Sequence, residues 1–132
     1  IVAILAIIAV PMYQNYIART QMTEALTLAD SLKIQVADIY AQDGELTGAD
    51  SGTNGIPTKA NITGTYVKEI EVKDGVITAT MKDTGVSAGI SGKTLVISPD
   101  PATPVADRPI TWKCTSDALS QYVPKPCTNT IP

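Results

Sequence analysis

Cys114 and Cys127 are the residues of this chain best suited to do chemistry, and the chemistry open to them is narrow. They are the chain's two cysteines, and it has no histidine. A zinc site would therefore lack ligands, and the spacing is not the C-x-x-C of a redox pair. A structural disulfide remains, closing a loop of about 14 residues and worth roughly 3 kcal/mol in the chain-entropy model. Asp50-Ser51-Gly52-Thr53-Asn54-Gly55 resembles the start of a calcium loop. Its third position is Gly52 and its twelfth is Asn61, so two ligand positions fail, and the stretch reads as a flexible loop. Asp43, Glu45 and Asp50 read as a solvated acidic face. Asn61-Ile62-Thr63 fits the N-glycosylation pattern, which is short enough to arise by chance. The sequence has no Gly-rich phosphate loop and no carboxylate pair beside a nucleophile. It argues against an enzyme and calls for no cofactor or metal.

Composition narrows the partners. A net charge of −3 gives no broad attraction to nucleic acid or acidic lipid. Phe is absent and Trp occurs once, so no aromatic platform for stacking bases is offered. At 132 residues the chain is one domain, large enough to bury a core.

The elements that must hold the cysteines begin with an unusual helix. Ile1 to Val10 is apolar without interruption, Pro11 follows, and the first polar side chain without an aromatic ring is Gln14. A helix apolar all round has no solvent face and must lie in lipid or be surrounded by protein. Ten residues at about 1.5 Å each span only half of a bilayer core. No basic residue precedes the run and there is no initiator Met, so the run is not read as a secretory signal. The expectation is that the chain begins inside a longer apolar helix.

Beyond Pro11, Ala25, Leu28, Ala29, Leu32, Val36, Ile39 and Tyr40 recur at steps of three and four and mark one apolar face. Leu26 and Ile34 lie off that stripe. They either widen the same face or form a second edge for a neighbour. Asp43-Gly44 supplies the stop, which predicts a helix from Ile1 to about Gln42, roughly 60 Å long. Its first half should protrude, with Pro11 as a kink or weak point.

A Gly-punctuated loop over 43–64 comes next, then four predicted strands. Thr65–Val72 turns at Asp74-Gly75 into Val76–Met81, and Thr94–Ser98 and Ile110–Cys114 follow. Tyr66, Ile70 and Val72 should share a face, as should Ile110, Trp112 and Cys114. The last strand would anchor the disulfide, with Trp112 in the core or under the loop.

Two stretches carry a family resemblance. The run I-V-A-I-L-A-I-I-A-V-P-M-Y-Q-N-Y-I-A-R over residues 1–19 resembles the N-terminal helix of type IV pilins just after their prepilin cleavage site. W-K-C-T-S-D (112–117) with Y-V-P-K-P-C (122–127) resembles the disulfide-bounded loop of type IVa pilins of Gram-negative bacteria such as Pseudomonas. The resemblance implies an α+β pilin fold, a long helix packed on a four-stranded antiparallel sheet with a C-terminal disulfide loop. Residues 1–22 would be the protruding half-helix and 23–132 the globular domain.

The family also implies a cleaved leader, a methylated N-terminal Phe and an acidic residue that guides assembly, none of which falls within this sequence. Where the family often has a helix-breaking Gly, this chain has Ala3.

The function implied is a structural subunit polymerising into a surface filament for twitching motility, adhesion or DNA uptake. Ile1, Ile4, Leu5, Ile8, Pro11, Tyr13 and Tyr16 would form the filament core. Ser116, Asp117 and Lys125 would present the loop to neighbours or receptors, unless the loop is only a staple. The partners implied are other copies of the chain, the inner-membrane assembly machinery, and host receptors, DNA or pilus-specific phage. The subunit would wait in the inner membrane, its domain in the periplasm, before joining the extracellular fibre. A minor pilin, a type II secretion pseudopilin or a membrane-anchored binding module are the competing readings.

Overall fold

The computed structural model describes residues 2–104 and 108–130, with side chains from Tyr13 onward. One helix, α1 (Val2–Asp43), dominates it. Its buried stripe is Ala18, Met22, Ala25, Ala29, Leu32, Val36 and Ile39, alternating steps of four and three. That spacing keeps one line of a helix facing a partner surface. The three alanines let the helix lie close to the sheet. Ala18 and Met22 are fully buried, so the helix already engages its own domain within the segment 1–22 read from sequence as protruding. Gly44, at φ 75, ends the helix in the left-handed conformation, its N–H donating to the Tyr40 carbonyl.

The partner surface is a sheet of five strands, one more than the sequence suggests. They are β1 (Val67–Lys73), β2 (Val76–Met81), β3 (Thr94–Pro99), β4 (Trp112–Ser116) and β5 (Cys127–Asn129), in spatial order β1-β2-β3-β4-β5. The first four run antiparallel. β5 is the correction: it adds in parallel to β4 and is only three residues long. Asp74 and Gly75 both take positive φ in the β1–β2 turn, as a two-residue hairpin between right-twisted strands requires.

Two rows cross the sheet on the helix side. One runs Val72, Ile77, Ile97, Cys114 and Cys127, and the other Ile70, Ala79, Leu95, Ser116 and Asn129. The first row ends in the disulfide, so the last β4 position of an apolar row is covalently joined to β5. In β1 the register shifts between Val67 and Glu69. This bulge brings Val67 into the core and leaves Tyr66 half-buried, where strict alternation had put Tyr66 on the face of Ile70 and Val72. β4 also starts two residues later than read. Ile110 and Thr111 remain in the connecting loop, where Thr111 bonds Asp100 through its carbonyl and its hydroxyl. Trp112 packs half-buried against the core, with Lys33 Nζ 6.0 Å from its ring centre.

Candidate assembly surface

The residues assigned to the filament core fall in three groups. Ile1 lies outside the described residues. Ile4, Leu5, Ile8 and Pro11 belong to α1, whose helical backbone runs through Pro11 without a break. The orientations of these side chains lie outside what is described. Tyr13 and Tyr16 are exposed by 64% and 65%, two large rings left uncovered by their own domain. Leu26 and Ile34, ambiguous in the sequence, separate here. Leu26 packs against the core, whereas Ile34 is 74% exposed.

The C-terminal loop is built more firmly than its sequence suggests. Cys114 and Cys127 are bonded, with Cα atoms 4.5 Å apart across the β4–β5 pair. Ser116, read as an exposed contact residue, is buried. Its Oγ donates to the Thr94 carbonyl at 2.7 Å and accepts the Ala118 N–H at 3.1 Å. Asp117, read likewise, is half-buried, and its Oδ1 accepts the Thr94 N–H at 2.7 Å. Both assignments as free surface are therefore corrected. The first residue of β3, Thr94, presents an amide and a carbonyl, and these two side chains satisfy both. Beyond them Ala118, Val123 and Pro124 bury into the domain, and Asn129 Nδ2 and Thr130 N–H return to Ala118 and Ser116 carbonyls. Of the three residues named, Lys125 alone is exposed. Leu119, Ser120 and Gln121 share the outer surface with it.

The loop over 44–66 is likewise pinned. Asp50 is not part of a free acidic face: its Oδ1 accepts the Asp74 N–H at 2.7 Å and its Oδ2 meets Lys73 Nζ at 3.4 Å. The Asp74 amide, opposed by partial desolvation and aided by Lys73, holds the carboxyl below its ordinary pKa. Ser51 pairs with Val72 through both N–H and Oγ, which extends the sheet edge. Asp43 and Glu45 are exposed, as read. Glu24 carries a role the sequence pattern hides. Its two oxygens accept the Tyr66 and Thr65 N–H groups at 2.8 and 3.1 Å, tying mid-helix to the start of β1. Gln21 does the same for Ser87 at 2.7 Å. Among the described residues every buried side-chain polar atom has a partner, and no cluster of His, Cys, Asp or Glu could hold a metal.

The described residues thus form a helix laid on a sheet, with a stapled C-terminal loop. Residues 18–128 match the pilin family of bacterial filament proteins, and this chain belongs to it. It is 42% identical to the fimbrial protein EcpC of Eikenella corrodens, over 98% of this chain and 82% of that protein. It is 44% identical to the type IV major pilin protein PilE1 of Neisseria gonorrhoeae over 72% of this chain, which spans 58% of that relative's length. The solution NMR structure of the major type IV pilin PpdD from enterohemorrhagic Escherichia coli superposes with a TM-score of 0.58 at 27% identity. That match covers 81% of this chain and 74% of PpdD. The pilin fold expected from the sequence is thus borne out, with a fifth strand added.

Proposed function

We propose that this chain is the major structural subunit of a type IV pilus, polymerising through the N-terminal half of α1. One observation carries the reading. The helix has 42 residues; among its described side chains the buried stripe begins at Ala18, and Tyr13 and Tyr16 before it are exposed. The residues before it read from the sequence as apolar through Val10, with no polar face of their own to offer water. Copies of the same segment can cover them. Lipid and a neighbouring apolar helix are nearly equal as solvents, so close packing supplies the preference for the fibre. A contact that repeats head to tail without closing generates a filament. The relatives are a fimbrial protein and a major pilin, which supports a bulk subunit over a minor one.

Before assembly the same segment holds the subunit at the inner membrane, where the assembly machinery takes it up. Among the described residues no helix is long and apolar enough to cross a membrane. In the packed fibre the backbone between about residues 3 and 11 loses helix, because Pro11 lacks an N–H and crowds the preceding turn. A fibre density map with unbroken helix through Tyr16 would contradict that. The finished fibre serves twitching, adhesion or DNA uptake, and exposes its surface to host receptors and phage.

Filaments sheared from cells and purified test the subunit role. This chain should be their bulk protein. Its presence only in traces, or only in membranes, would overturn the proposal.

A further inference from the structure

Two charged features of the subunit form no ion pair among the described residues. The first is a groove of about 450 Å³ between α1 and the end of the disulfide loop. Tyr16, Arg19 and Leu26 line one wall, and Pro124, Lys125 and Pro126 the other. Its walls are otherwise apolar or hydroxylic, and no carboxylate lines it. The hydroxyls of Thr20 and Thr23 are turned back onto the Tyr16 and Arg19 carbonyls, which leaves their methyl groups for contact. Neither Arg19 nor Lys125 forms an ion pair among the described residues.

The second feature is the far end of the same helix. Its last turn carries no basic residue, and it finishes at Asp43 with Glu45 just beyond, both exposed. A helix C-terminus already bears about half a negative charge, so acids there are unfavourable unless a cation from elsewhere meets them.

We infer that in the fibre the acidic end of α1, Asp43-Gly44-Glu45, docks into the Arg19–Lys125 groove of a second copy. The contact rests on the pilus-subunit reading and names where two subunits meet. Charge complementarity selects the occupant: a chain with a cationic groove at one level and an exposed anionic helix end at another is complementary to itself. The distance sets the stagger. The middle of the groove, at the helix level of residue 21, and residue 44 are about 35 Å apart along a helix rising about 1.5 Å per residue. Parallel subunits making this contact are therefore offset by about that length along the fibre axis. Each subunit offers both halves, so the contact propagates without closing.

Charge reversal on full-length chains in assembling cells tests it. Arg19→Glu with Lys125→Glu should lower the sedimented fibre fraction by about tenfold, as should Asp43→Lys with Glu45→Lys, because like charges then face each other. The chain with all four changes restores complementarity and should recover fibres. A Thr20→Cys/Glu45→Cys chain should give a ladder of disulfide-linked multimers from oxidised fibres.

If parental fibres form and the reversed chains assemble equally well without a ladder, the contact is overturned while the subunit role stands. If the parent forms no fibres, both fall. Reversed fibres that assemble normally but lose DNA retention would assign the groove to nucleic acid and also overturn the contact.

Discussion

Glu24 accepts the Tyr66 N–H at 2.8 Å across a gap that exists because residue 64 is glycine. A Cβ at Gly64 would run into the Glu24 carboxylate. One acid in the middle of the helix thus fixes where the first strand begins, and a glycine two residues before Tyr66 makes room for it. Glu24→Ala should cost about 2 kcal/mol, since a charged acceptor for two amides is lost. Gly64→Ala should cost about as much by displacing the carboxylate. Denaturant unfolding of the two single variants and the double variant gives the coupling. The double variant should cost less than the sum, because with Glu24 gone the new methyl has less to displace.

Ser116 and Lys125 should respond in opposite ways. Ser116→Ala leaves the Ala118 amide and the Thr94 carbonyl each short of a partner in a buried place, and should lose about 1–3 kcal/mol. Lys125→Ala, at an exposed position, should change stability by no more than about 0.5 kcal/mol. Thermal melts of the two variants check this. A neutral Ser116→Ala would contradict the buried role found for it.

Asp50 links stability to acid. Its carboxyl pKa is lowered in the fold, chiefly by the Asp74 amide. A depressed carboxylate pKa adds stability that is fully present above the unfolded value, about 4, and is lost as pH falls through the folded value. Asp50→Asn should therefore flatten the loss of stability below about pH 4 while leaving the curve near neutrality parallel to the parent's. Unfolding midpoints measured down to about pH 2 decide it.

The disulfide should matter most for the shortest strand. A Cys114→Ser/Cys127→Ser chain should lose roughly 3 kcal/mol. β5, three residues held in parallel on β4, should open first. Amide exchange should show Thr128 and Asn129 losing protection before β2 and β3 do.

Much of this was legible in the residues themselves. Steps of three and four across Ala25 to Ile39 mark the inner face of the helix, and Asp74-Gly75 can hardly be anything but a two-residue turn. What stayed hidden has physical causes. β5, Cys127-Thr128-Asn129, has no apolar alternation because its partners are a disulfide and backbone carbonyls. Ser116 is polar yet buried, so a reading by hydropathy places it outside and ends β4 at Cys114. The bulge after Val67 shifts the alternation by one residue, which no period-two pattern can anticipate. Glu24 looks like any solvated helical acid, and its role depends on Gly64, forty residues away in sequence. Ala18 and Met22 lie beside the apolar run and merge with it, so the point where the domain takes hold of the helix was not visible.

The most direct test is to place one carboxylate in the apolar half-helix and look for fibres. A charge among close-packed apolar helices costs several kcal/mol, repeated in every subunit. Full-length Ile4→Asp and Ile8→Asp chains should yield no sedimentable fibres by electron microscopy. The domain from about residue 20 should keep its circular dichroism and the Cys114–Cys127 bond, since both rest on contacts from Ala18 onward. Fibres of normal abundance and appearance from either variant would contradict the claim that this segment forms the filament core.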